Sequence, residues 1–314
     1  MGVTTRDIFG GKPAPQPALP GTYGEPPKGH RLPDATRLGR VVLQVADLSR
    51  SVRFYESVLG FRTISRSAHG ALLGTLTSDR VVLELRERQG ARQVAGRSRL
   101  GLYHFAILLP DRPSLGRFVR HLGDIGVRAG AGDHVVSEAF YLSDPDGLGI
   151  EVYADRPREG WMRVGRELMM ASDPVDVAGL VLAAGPLPWQ GMPDRTAMGH
   201  VHLHVGDIAR ASAFYSEGIG FDRMAWSYPG ALFFGAGGYH HHLGTNTWAV
   251  ANAPPSAEDD ARLVEWTVEL PALADVDAVG VSLAKGGFAV AREDDDAVAK
   301  DPWGTAVRFV AQRA

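Results

Sequence analysis

At 314 residues, 45% hydrophobic and 22% charged, the chain is long enough for two domains with substantial cores. A net charge of -3 gives no pull toward nucleic acid or an anionic membrane and favours a small molecule as partner. The absence of cysteine excludes a disulfide framework, a thiolate metal site and a cysteine nucleophile, so a transition metal must rest on histidine and carboxylate.

No apolar run reaches the ~20 residues that span a bilayer, and the opening Met1-Gly-Val-Thr-Thr-Arg-Asp7 lacks the apolar core of a secretory signal, so the expected setting is cytoplasmic. Residues 1–36 carry Pro13, Pro15, Pro17, Pro20, Pro26, Pro27 and Pro33 among glycines. That composition argues against helix or central strand and predicts an extended arm. A disordered leader is the favoured form of it; an arm laid over a partner subunit of a homo-oligomer is the other.

From residue 37 a pattern of strand, helix and three strands returns. The first module reads as a strand over 40–46, a helix over 48–59 and strands through Leu85, with alternation in Val81-Val-Leu-Glu-Leu85. The second starts at Leu102, passes a helix over 114–126 and ends in Ala139-Phe-Tyr-Leu142 and Gly149-Ile-Glu-Val-Tyr153, joined by the turn Asp144-Pro-Asp-Gly147. A polar, Met-containing stretch precedes the third module (198–250), and Ala253-Pro-Pro-Ser-Ala-Glu-Asp-Asp260 precedes the fourth (262–312), which closes on Asp301-Pro-Trp-Gly304 and Ala306-Val-Arg-Phe-Val310. The expected architecture is α+β, four βαβββ modules paired into two half-barrels, divided as an arm (1–36), modules one and two (37–155), a linker (156–196) and modules three and four (197–314).

Each module opens on one phrase: Leu38-Gly-Arg40, Leu102-Tyr-His104, Met198-Gly-His200 and the Leu263 to Trp266 stretch. Its key position reads Arg40, His104, His200 and Trp266, so imidazole stands only in the two middle copies. Glu151, on the last strand of module two, alternates against Ile150 and Val152 and shares a face with Gly149, where glycine leaves room. If modules two and three pair, His104, His200 and Glu151 converge as two imidazoles and a carboxylate, the facial triad suited to Fe(II), with Mn(II), Ni(II) and Zn(II) also able to occupy it. Arg40, Trp266 and Arg308 would then belong to a metal-free half-barrel of modules one and four. Of His240, His241 and His242, alternation puts the outer two on one face and His241 on the other; at least one is expected at the surface.

The segments Gly101-Leu-Tyr-His-Phe-Ala-Ile-Leu-Leu-Pro-Asp-Arg112, Asp133-His-Val-Val-Ser-Glu-Ala139, Tyr141-Leu-Ser-Asp-Pro-Asp-Gly-Leu-Gly-Ile-Glu-Val-Tyr153, Gly199-His-Val-His-Leu-His-Val205 and Gly238-Tyr-His-His-His-Leu-Gly244 carry a resemblance. Over residues 36–312 the chain resembles the vicinal oxygen chelate superfamily, and within it the type I extradiol dioxygenases, most closely the two-domain catechol 2,3-dioxygenases of bacilli. The resemblance implies that His104, His200 and Glu151 match the iron ligands, His241 the acid–base histidine, and Tyr141 and His134 the residues that bind the substrate oxygens. It differs in one respect: such enzymes keep these residues in the last two modules, whereas here the set requires an exchanged pairing of module two with three and one with four. The implied reaction joins a catechol and dioxygen to give a 2-hydroxymuconic semialdehyde type product, with no organic cofactor, nucleic acid or membrane partner. The alternatives are a glyoxalase-like metal lyase, isomerase or transferase of the same superfamily, and a metal-free protein that sequesters an aromatic ligand.

Overall fold

The aspartate that ends the repeated phrase explains why each strand passes directly into a helix. Asp47, Asp111 and Asp207 are N-caps whose carboxylates accept from the backbone amides of Arg50, Ser114 and Arg210 at 2.9, 2.8 and 2.7 Å. The fourth copy lacks this residue, and Asp275 instead accepts from the backbone amide of Ala272, the first residue of the cap, at 3.0 Å. The helices so started are Leu48–Ser57, Arg112–Asp124, Ile208–Ser212 with a π-helical continuation Ala213–Ile219, and Leu273–Lys285. The glycine stops of modules one and three, Gly60 and Gly220, have φ of +81° and +109°, a conformation that side chains disfavour.

The computed structural model describes residues 2–312. Two eight-stranded sheets dominate it. One runs in the order Asp222–Ala225, Ala231–Gly235, Leu243–Asn246, Ala197–His204, Gly101–Leu108, Gly149–Asp155, Ser137–Ser143, Gly130–Asp133, and so joins modules three and two. The other runs Val290–Glu293, Asp296–Lys300, Ala306–Ala311, Arg262–Leu270, Arg37–Val45, Val81–Glu87, Gly70–Gly74, Arg62–Arg66, joining modules four and one. This is the exchanged arrangement. In each sheet the first strands of the two modules meet antiparallel at the centre, and each lies parallel to the last strand of its own module.

Register corrects the reading of the fourth copy. His200 faces Ala106 across the central seam of one sheet, and Glu265, not Trp266, faces the equivalent Val42 in the other. Both seams slip just before this residue, between Met198 and His200 and between Leu263 and Glu265, so one extra residue is accommodated in each strand. Trp266 therefore points the other way and is fully buried in the main core with Val41, Phe105 and Val201.

The two sheets are tied through their helices. Tyr55 of module one donates to Asp144 of module two at 3.1 Å, and Tyr215 of module three donates to Asp301 of module four at 2.8 Å. Each aspartate opens an Asp-Pro turn and also accepts backbone amides of that turn.

The N-terminal segment is ordered against its own chain. Thr5–Phe9 form a one-turn helix with reciprocal capping by Thr4 and Asp7; they lie ahead of the prolines, where nothing opposes helix. Ile8 and Phe9 are buried against Val164, Met169 and Ala171, and Gln16–Pro17 pairs with Met162–Val164, which pairs with Glu167–Leu168 in a small sheet.

Candidate metal centre and its cavity

Strand geometry brings the triad together. Ala106 is paired with Glu151 on the neighbouring strand and His104 lies two residues earlier on the same face, while the seam register delivers His200 opposite Ala106. Nε2 of His104 and Nε2 of His200 lie 3.0 and 3.3 Å from Oε2 of Glu151, and 3.3 Å from each other. All three side chains are buried, with 5%, 1% and 2% exposure for His104, His200 and Glu151, so this carboxylate is removed from water. Two glycines make the approach possible. A side chain at Gly149 would meet the carbonyl of Tyr103 at 2.0 Å, and one at Gly199 would meet the hydroxyl of Tyr153 at 1.8 Å.

The donor set fits a divalent cation. Burial drives the pKa of His200 down to about 4, so it offers a neutral imidazole at neutral pH. Burial alone would push the Glu151 carboxyl up, but the adjacent His200 and His104 hold it well below the usual range, as an anion. Oε1 of Glu151 and Nδ1 of His200 have no hydrogen-bond partner among the described residues despite their burial. A buried carboxylate left this way is costly, whereas a cation bound by two lone pairs and one anion compensates it.

Beside the triad opens a cavity of ≈ 640 Å³, into which Tyr141, His134 and His241 also project, so the structure brings all six expected residues to one place. The hydroxyl of Tyr141 hydrogen-bonds Nε2 of His134, and Nδ1 of His134 donates to the Ala171 carbonyl at 2.6 Å. Burial, then the charge of Glu151, pushes the Tyr141 phenol well above its ordinary pKa and keeps it protonated.

The three-histidine run departs from the strand expectation. It is a bend ahead of Leu243–Asn246, and none of the three is at the surface: His240, His241 and His242 are 0%, 5% and 6% exposed. His241 lies against the ring of His200, with centroids 4.0 Å apart, while Nδ1 of His242 accepts from the backbone amide of Ala236 at 3.2 Å. Burial, followed by the neighbouring imidazoles, lowers the pKa of His241 well below its ordinary value.

A model for the Glyoxalase/Bleomycin resistance protein/Dioxygenase superfamily matches residues 37–152 and 197–309. The chain belongs to this superfamily. It is 44% identical over 271 residues to the catechol-2,3-dioxygenase of Bacillus subtilis (strain 168), covering 85% of this chain and 94% of that protein. Among solved structures, a putative dioxygenase from Bacillus subtilis superposes with a TM-score of 0.64 at 12% identity, over 91% of this chain and 87% of that one. Glyoxalase I of Zea mays superposes with a TM-score of 0.52 at 17% identity, over 88% of this chain and 92% of that one. At these identities the structures speak for the fold alone. This superfamily member resembles the catechol-type dioxygenases, and among the described residues His104, Glu151 and His200 form a cluster able to hold a metal ion.

Several further residues line the cavity without a motif of their own in the sequence. His202 alternates with His200 and His204 on one strand, a period-2 signal in Gly199-His-Val-His-Leu-His-Val205 that could have found it. Its Nε2 accepts from Asn246 at 2.9 Å, and Asn246 Oδ1 in turn accepts from His204 at 2.6 Å. Tyr103, Tyr228 and Trp248 add aromatic walls. Gly2 and Val3 close part of the cavity from the N-terminal segment, where Val3 accepts from the Ser172 amide at 2.8 Å and its own amide donates to the Tyr228 hydroxyl at 3.3 Å. No local pattern in the sequence announces that contact.

Proposed function

We propose that the protein is an Fe(II)-dependent extradiol dioxygenase that cleaves catechol or a substituted catechol beside the diol, using His104, His200 and Glu151 as ligands, His241 as acid–base residue and Tyr141 with His134 to hold the substrate oxygens. The observation that carries the reading is the buried convergence of two imidazoles and one carboxylate at the wall of a cavity large enough for a single aromatic ring. The high identity to a catechol-2,3-dioxygenase supports the choice of substrate class. Fe(II) held there would supply adjacent open positions for the diol and for dioxygen, and a path for electrons between them.

The remaining roles follow from the chain's own atoms. The Ala171 carbonyl can only accept, so Nδ1 of His134 donates to it and Nε2 is the acceptor for the Tyr141 hydroxyl. The Tyr141 oxygen is then free to accept from a substrate hydroxyl. His241, kept neutral, has a nitrogen able to take a proton as the diol ionises and to return it later in the reaction. Aromatic side chains of Tyr103, Phe233 and Trp248 form apolar walls that suit a flat ring and exclude water.

Oxygen uptake by the iron-loaded protein tests the proposal. With catechol, one dioxygen consumed per ring and a yellow semialdehyde product are expected. Uptake that yields a cis,cis-muconic acid, or no uptake by protein holding a full complement of iron, would overturn it.

A further inference from the structure

The three-histidine run continues away from the cavity into a chain of hydrogen bonds that the proposed function does not use. Nδ1 of His241 lies 2.7 Å from Nδ1 of His240, and Nε2 of His240 lies 2.8 Å from Oδ1 of Asp155. His240 is fully buried, with its ring between Tyr239 and Trp161 at centroid distances of 4.1 and 5.4 Å. Asp155 ends the strand that carries Glu151, and its side chain remains 27% exposed. The same oxygen of Asp155 also accepts from the Tyr239 hydroxyl at 3.3 Å, and that hydroxyl meets the Tyr153 hydroxyl at 2.7 Å.

The polarity of this chain is dictated from its outer end. A carboxylate only accepts, so Nε2 of His240 carries a hydrogen. With one hydrogen on each ring, Nδ1 of His240 is then bare and accepts, so the hydrogen between the two rings belongs to Nδ1 of His241. A neutral His241 with its hydrogen on Nδ1 has a bare Nε2, and this ring forms part of the cavity wall beside His200. We infer that Asp155 and His240 are positioning residues that lock His241 into the tautomer whose unprotonated Nε2 is presented to the cavity. The inference rests on the reading of His241 as the acid–base residue, to which it adds the means by which that residue is oriented. The logic matches a carboxylate that fixes the tautomer of a catalytic imidazole, extended here by one further ring.

The test reads the tautomer directly. In full-length protein labelled with 15N-histidine and free of paramagnetic metal, the His241 Nε2 resonance should be of the unprotonated type and Nδ1 of the protonated type. In Asp155→Leu and His240→Phe the preference should be lost. His240→Gln, whose amide can donate toward Asp155 and accept from His241, should restore it in large part. In iron-loaded protein the first two variants should keep their iron and KM for catechol while kcat falls about tenfold or more, and His240→Gln should recover most of the rate. A hydrogen on Nε2 of His241 in the unmodified protein, or an unchanged tautomer in Asp155→Leu, would overturn the inference. If catechol turnover is absent while the tautomer pattern holds, the functional reading fails and the positioning chain stands.

Discussion

The two half-barrels share one topology and differ at the few positions where chemistry could occur. Arg40 takes the place of His104, Glu84 that of Glu151, Glu265 that of His200, and Arg308 that of Gly244, as judged by identical strand pairings. In the sheet of modules two and three the carboxylate faces the two imidazole rings of His104 and His200. In the sheet of modules one and four Arg40 lies 3.2 Å from Glu84, and Arg308 forks onto Glu265 at 2.8 and 3.0 Å and also reaches Glu293 and Asp296. The same concave face thus neutralises its acids in two ways. One half-barrel provides its own guanidinium cations; the other provides lone pairs and an anion for a cation from outside.

That contrast can be broken first at its metal side. His200→Ala should reduce bound iron from about one per chain to less than a tenth and lower oxygen uptake with catechol by about a thousandfold, read by elemental analysis and an oxygen electrode. Glu265→Ala in the other sheet should leave both values unchanged. Next in size is His241→Ala, which separates the ligands from the cavity residues: iron content stays normal and the turnover rate drops about a hundredfold.

The Asp-Pro turns that link the half-barrels give a smaller, pH-dependent effect. Burial raises the pKa of Asp144 from its ordinary value of 3.8 to about 6. Because the folded-state value is the higher one, the stabilisation is fully present below about pH 4 and is lost as pH rises through about 6. Asp144→Asn should therefore flatten the fall in unfolding free energy across that window, by up to about 3 kcal/mol, as measured by urea denaturation at several pH values. Removal of a guanidinium comes last. Arg308→Ala should cost about 2 kcal/mol, below the range for a fully buried pair because Arg308 is partly exposed, with iron content intact.

Much of this contrast was legible in the sequence because it is carried by period-2 strands in a repeated unit. His104, His200 and Glu151 could be placed by position within the module, and the need to bring them together implied the exchanged pairing that the sheets show. The fourth copy misled for a physical reason. The irregularity between Leu263 and Glu265 shifts which residue looks inward, so counting along the repeated phrase lands on Trp266 where Glu265 stands. Alternation predicts a strand through His240–His242, but it does not apply to a bend, and burial of all three rings depends on partners such as Asp155 that lie far away in sequence. The contribution of Gly2 and Val3 to the cavity is likewise a tertiary contact with Ser172 and Tyr228, invisible to any local pattern.

The most direct test of the contrast is anomalous diffraction at the iron edge from crystals of iron-loaded protein. One strong peak is expected at about 2.0–2.3 Å from Nε2 of His104, Nε2 of His200 and a carboxylate oxygen of Glu151, and none beside Arg40, Glu84, Glu265 and Arg308. A peak at any other set of residues, or no peak at the triad in crystals shown to contain iron, would contradict it.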